Sequence, residues 1–195
     1  MKKLSILLFA LFLVSCEKGE TREELESSLE SALGVIASKS PLGGNDLFFQ
    51  NVSYGNGTRN VLDILMPSEG DSKGVVLFFH GGGFIAGDKA DAYNDLLLET
   101  MESLLVNKIT IVSANYTLIN TPGNKGVISA LEDGTAVINF VQSQLNNLKI
   151  PSNKIVLAGV SAGAGIAQWN GFREASNTQV QGVLALAAQF LWVRQ

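Results

Sequence analysis

Apolar positions along the 195-residue chain follow three rhythms. Next to the N-terminus, after Met1-Lys2-Lys3, residues 4–14 form an apolar run broken only by Ser5. A second rhythm, in steps of three and four, passes through Leu25, Leu29, Ala32, Leu33 and Ile36, with Glu23, Glu26 and Glu30 on the other side. It predicts an amphipathic helix that starts with the capping-box pattern Thr21-Arg22-Glu23-Glu24, ends near Ser40-Pro41 and packs on the domain. Continuous apolar runs make the third rhythm, at 75–79, 109–114, 155–158 and 183–187. Runs without alternation predict parallel strands covered on both faces.

Helical spacing returns between these runs. Residues 92–106 carry Leu96, Leu97, Met101, Leu104 and Leu105; residues 125–146 carry Val127, Leu131, Val137, Ile138, Val141 and Leu145; residues 162–174 form the third such stretch. Two further strands are predicted at 47–54 and 60–66, separated by Gly55-Asn56-Gly57. The partial alternation of 61–65 predicts an antiparallel strand with one wet face. Strands alternating with helices predict an α/β protein: a mostly parallel sheet, helices on both faces, right-handed crossovers.

The composition, 46% hydrophobic and 16% charged, suits one globular domain and excludes a disordered chain. A net charge of −4 argues against a nucleic-acid partner. One Cys makes no internal disulfide, and with one His it builds no zinc site, so no metal is expected. That Cys closes the leader. The 4–14 run is too short to span a bilayer and reads as the core of a signal peptide. It ends in Leu13-Val14-Ser15-Cys16, which resembles a bacterial lipobox. The resemblance implies a signal peptide over 1–15, lipidation at Cys16, a tether over 16–24 and a domain over 25–195. The protein is then expected in the bacterial cell envelope, anchored in the membrane by its acyl chains and facing the periplasm or the exterior. Removing the leader takes Lys2 and Lys3 with it, so the acidic domain adds no polybasic second anchor.

Two loops at the ends of buried strands carry the chemistry, where open α/β sheets place their ligands. Gly159-Val160-Ser161-Ala162-Gly163 follows the run 155–158 and opens a helix, which is G-x-S-x-G in the context it requires. Such a turn lifts the Ser161 hydroxyl clear of the sheet, and the helix N-terminus behind it offers free N–H groups. His80-Gly81-Gly82-Gly83-Phe84 follows the run 75–79. Consecutive glycines let backbone N–H groups approach a carbonyl oxygen without interference from Cβ atoms. No Gly-Lys-Ser/Thr follows, so this is not a phosphate loop.

With Gly87-Asp88-Lys89 and Asn115-Tyr116, these loops resemble an α/β-hydrolase of the hormone-sensitive-lipase-like, acetyl-esterase type, over about residues 60–189. The resemblance implies Ser161 as nucleophile and the N–H groups of Gly82, Gly83 and Ala162 as the oxyanion hole, with Gly81 as a further contributor. It implies motif-shaping roles for His80, Gly81, Gly159 and Gly163. Asp133 is expected to support packing rather than catalysis. Serine ester hydrolysis needs no cofactor. The expected substrates are small-molecule or polysaccharide-linked esters of short acyl groups.

The fold's triad runs Ser, then Asp or Glu, then His. Beyond Ser161 the sequence holds no His and no Asp, and its one acid is Glu174, on or just after the helix. The expectation is therefore an incomplete hydrolase domain that lacks the C-terminal strands, with catalytic acid and His absent, and inactive alone. The competing expectation is a non-catalytic hydrolase-fold lipoprotein that binds a ligand or partner.

Overall fold

A computed structural model describes residues 21–67, 71–152, 154–173 and 180–187. The leader 1–15, Cys16 and Glu174 lie outside these residues. The first helix, α1 (Arg22–Leu33), starts on the expected capping box: Thr21 Oγ1 accepts from Glu24 N–H and the Glu24 carboxylate accepts from Thr21 N–H. It thus begins inside the stretch 16–24 and stops earlier than Ser40. Gly34 adopts φ 71°, the left-handed conformation that ends helices, and its N–H returns to Glu30 O. Ser38 then pairs with Phe48 in an isolated bridge, and Ile36 is 80% exposed rather than on the helix's buried face.

Strands β1 (Leu47–Ser53), β2 (Val61–Met66), β3 (Gly74–Phe79), β4 (Ile109–Ala114), β5 (Ile155–Val160) and β6 (Val180–Leu186) form one sheet in the order β1-β2-β4-β3-β5-β6. The β1–β2 and β2–β4 pairs are antiparallel, and β4–β3, β3–β5 and β5–β6 are parallel. Between the strands run α2 (Asp95–Val106), α3 (Val127–Gln144) and α4 (Ala162–Phe172). Leu77, Phe79, Ile155 and Leu157 pack with Leu29 of α1, Leu131 and Val137 of α3 and Ile166 of α4 in one core. Phe78 and Ile111 pack with Met101 and Leu105 of α2 in another. Helices thus cover both faces of a mostly parallel sheet, as the run pattern predicted. Full burial of each large side chain contributes about 1.5–3 kcal/mol.

Three apolar faces differ from the expected pattern. Strand β2 has no wet face: Leu62 through Met66 are buried, Asp63 included. It lies between β1 and β4, and Asp63 is enclosed with a cation of its own, Lys89. Leu96 of α2 points outward, 88% exposed, because the helix starts at Asp95 after a 3-10 turn (Lys89–Tyr93) and buries Met101 and Leu105 instead. Among the described residues strand β6 is covered on one face: Val183 packs against α4, where a Cβ on Gly171 would stand 2.2 Å from it, while Leu184 and Leu186 are 52% and 43% exposed.

Candidate active site

Strands β3 and β5 are parallel neighbours, with Phe79 opposite Gly159. The two glycine loops that leave them therefore emerge side by side at the C-terminal ends of the strands.

The first loop is a strand-to-helix elbow. Ser161 adopts φ 52°, ψ −111°, a conformation that L-residues rarely hold and that costs on the order of 1–3 kcal/mol. Crowding enforces it. A Cβ on Gly163 would stand 2.0 Å from Phe79 O, and one on Gly159 2.3 Å from Gly163 C, so α4 is pressed onto the strand ends. Ser161 is half-buried and is fastened through its backbone: its N–H donates to Leu186 O at 2.8 Å and its C=O accepts from Gly165 N–H. Its hydroxyl has no hydrogen-bond partner among the described residues.

The second loop lies against the elbow. A Cβ on Gly81 would be 3.3 Å from Val160 O and 3.7 Å from Ser161 Cβ. Gly82, Gly83 and Phe84 take φ 103°, 61° and 63° in succession, which turns the chain back on itself. Ile85 and Ala86 N–H close the turn on Gly82 O, and a Cβ on Gly82 would be 2.2 Å from Ala86 O. Phe84 is driven inward against the Tyr116 ring, 6.1 Å between centroids. Among the described residues, the N–H groups of Gly82, Gly83 and Ala162 meet no acceptor. These are the donors expected to form the oxyanion hole.

Polar side chains fix this loop from beneath. His80 is fully buried and stacks on Tyr116 at 4.3 Å between ring centroids. Its Nδ1 lies 2.7 Å from Gly81 O and its Nε2 3.3 Å from Arg59 Nη2. An arginine only donates, so Nε2 accepts and Nδ1–H donates to Gly81 O: the imidazole is neutral. Burial holds it below the usual imidazole range; Gly81 O opposes that shift, Arg59 reinforces it, and Asp91 and Asp88 oppose it. With both ring nitrogens engaged, His80 is not available as a base for Ser161. The Tyr116 hydroxyl lies 3.0 Å from His80 O and 3.1 Å from Gly81 O, and burial raises its phenol well above the usual range.

Beyond the loop, Asn115 Oδ1 accepts from Lys89 N–H at 2.7 Å and Asn115 Nδ2 donates to Asp88 at 2.8 Å. Burial pushes the Asp88 carboxyl up, but Ala90 N–H, Asn115, Lys89 and Arg59 together hold it below the usual range. Lys89 Nζ stands 3.3 Å from Asp63, a fully buried carboxylate that also accepts from Asn51 N–H. Burial raises the Asp63 carboxyl, with Asn51 and Lys89 opposing. Ser113 Oγ donates to Lys89 O at 2.6 Å. Gly87-Asp88-Lys89 thus anchors the far end of the loop between β2 and β4.

Asp133 supports packing, as expected. It accepts from Asn60 Nδ2 at 3.1 Å and Thr117 N–H at 2.7 Å. Among the described residues no carboxylate or imidazole stands ready beside Ser161. Nor does any group of three or more His, Cys, Asp or Glu among them offer a metal site. The sequence reading missed Arg59 and Asp63. Arg59 belongs to no motif, and Asp63 occupies a polar position that reads as the wet face of a strand.

The sequence is 36% identical over 110 residues to a gibberellin receptor of Arabidopsis thaliana, a match taking in 55% of this chain and 30% of that protein. It is 35% identical over 120 residues to isoprenylcysteine alpha-carbonyl methylesterase of the same plant, covering 60% of this chain and 26% of the relative. The chain thus spans less than a third of the length of these curated relatives. Esterase 2 of Thermogutta terrifontis superposes with a TM-score of 0.58 at 18% identity, over 74% of this chain and 57% of that one. A truncated carbohydrate esterase from gut microbiota superposes with a TM-score of 0.54 at 21% identity, over 64% of this chain and 42% of that one. At such identities the superpositions establish the α/β-hydrolase fold. The sequence family BD-FAE matches residues 62–188, from β2 through the elbow to the end of β6, and the chain belongs to it.

Proposed function

We propose that these residues carry the nucleophile and oxyanion hole of a serine carboxylic-ester hydrolase that works through an acyl-enzyme. The observation that carries this reading is the strained Ser161 held against a glycine loop, with three N–H groups unengaged among the described residues. Relatives named as esterases support it.

In the proposed reaction Ser161 Oγ attacks the ester carbonyl carbon and gives its proton to a base. The carbonyl oxygen becomes an oxyanion that accepts from Gly82, Gly83 and Ala162 N–H. The C–O bond to the alcohol breaks, the alcohol takes a proton, and water later hydrolyses the acyl group from Ser161. No described residue supplies the base. With no base among the described residues, the chain as given is proposed to acylate slowly. Loss of a triad member costs about 10⁴-fold or more in kcat but leaves the oxyanion hole's contribution. Short acyl esters, on small molecules or carbohydrates, are the proposed substrates. Cys16 is proposed to carry a lipid that holds the protein in the bacterial cell envelope; Cys16→Ser is expected to move it from the membrane to the soluble fraction.

The test uses a fluorophosphonate probe followed by intact-mass measurement. The folded chain is expected to gain one adduct at Ser161 over hours, faster with added imidazole as a substitute base, and Ser161→Ala none. A folded chain that stays unlabelled even with imidazole overturns the reading. The likeness to a plant receptor favours a second reading, a non-catalytic binder of a ligand. It predicts no adduct, and ligand-dependent thermal stabilisation instead.

A further inference from the structure

Arg59 precedes β2 and lies far in sequence from both glycine loops. Its half-buried guanidinium gathers acceptors from three stretches of chain. Nε donates to Tyr116 O at 3.0 Å, and Nη2 stands 2.9 Å from Gly87 O, 3.1 Å from Asn115 Oδ1 and 3.3 Å from His80 Nε2. His80 and Gly87 bracket the loop 81–86, so one planar cation ties both of its ends to the segment that follows β4. A guanidinium, which only donates, beside Nε2 also selects the imidazole's form, because Nε2 must then accept and the ring proton must sit on Nδ1.

That proton is aimed at Gly81 O, 2.7 Å away, which also faces the Tyr116 hydroxyl. The Gly81 carbonyl is therefore held inward. A trans peptide is planar, with C=O and the following N–H on opposite sides. An inward Gly81 C=O thus turns the Gly82 N–H outward, to the side where it meets no acceptor among the described residues. Glycine at 82 has no side chain to resist rotation of this peptide, so the pinned carbonyl sets its direction.

We propose that Arg59 is the positioning residue of the oxyanion loop: by holding His80 as the neutral Nδ1–H tautomer it locks the Gly81–Gly82 peptide with its N–H towards the substrate oxygen. The proposal rests on the esterase reading for the purpose of that N–H, but the lock can be read directly. His80 is the only histidine in the chain, so its imidazole signals need no assignment. The charged and titratable groups that face it are Arg59, Asp88, Asp91 and Tyr116.

The experiment compares the 195-residue chain with Arg59→Met, and with Arg59→Lys as a milder second variant that keeps a cation but loses the fork. Imidazole ¹⁵N shifts report tautomer and protonation, the Gly82 and Ala162 amide signals report each half of the hole, and fluorophosphonate labelling reports function. In the unaltered chain the ring is expected to stay in the Nδ1–H form through mildly acidic pH. In Arg59→Met it should mix tautomers and protonate at higher pH, and Gly82 should shift while Ala162 does not. Ser161 labelling should fall by about tenfold to a hundredfold, approaching the loss of one oxyanion donor. Arg59→Lys should move the same way by less. A folded variant that keeps the Nδ1–H tautomer, the Gly82 signal or the labelling rate of the unaltered chain overturns the proposal. If the unaltered chain is never labelled, the esterase reading falls instead, and the tautomer and Gly82 signals still decide whether Arg59 sets the loop.

Discussion

At the elbow, backbone meets backbone: Gly163 has no room for a Cβ because Phe79 O would stand 2.0 Å from it, and the Ser161 N–H is tied to Leu186 O. Beside it the glycine loop 81–87 is held by side chains instead: Arg59, His80, Asp88, Asn115 and Tyr116, each making directed polar contacts with it or with its anchor. Crowding is indifferent to charge and pH. A hydrogen-bonded network is not, since each bond depends on which atom carries the proton. The candidate site thus joins a half that is fixed by shape to a half that is fixed by protonation state.

The strongest way to break this contrast is Gly163→Val. Its branched side chain has nowhere to go between α4 and the end of β3, and the expected loss is about 4–5 kcal/mol, in the range of the most damaging substitutions. A thermal melt should show a large drop or no cooperative transition, at pH 6 and pH 8 alike. A mild effect, or one that varies with pH, would show that the elbow relaxes more than the crowding allows.

Acidification is the gentler probe, and it should find the other half. Burial keeps His80 neutral in the folded chain, while the unfolded chain takes up the proton from about pH 6.5 downward. In that window the unfolded state binds more protons, so stability is full above it and declines as pH falls towards the lowered folded value. The melting temperature should therefore fall between pH 7 and pH 5.5, and His80→Gln should flatten that slope. The depressed carboxyls of Glu24 and Asp88 act in the same direction, but below about pH 4. A slope unchanged in His80→Gln would mean that the loop is not held by the imidazole's neutral form.

The same contrast explains what could be read in advance. Strands β3, β4 and β5 announce themselves as apolar runs because both faces are buried, and the G-x-S-x-G elbow is legible because its constraints are local in sequence. The apolar spacing carries helix α1 on through Ile36, while Gly34 in the left-handed conformation ends the helix first. A lone Asp63 in an apolar strand is the usual mark of a solvent face; the lysine that makes its burial tolerable lies 26 residues on, at the far end of the glycine loop.

By itself the sequence determined which segments are strands, which are helices, and where two glycine loops leave the strand ends, since periodicity and small residues at close approaches act within a few positions. Only the tertiary structure decided that Arg59 reaches His80, Gly87, Asn115 and Tyr116, that His80 is therefore neutral and committed, and that Asp133 holds Asn60 and Thr117 rather than the serine. Hydrogen bonds and ion pairs depend on ångström distances between side chains far apart in sequence, and those distances exist only once the sheet order has brought β2, β4 and β3 together.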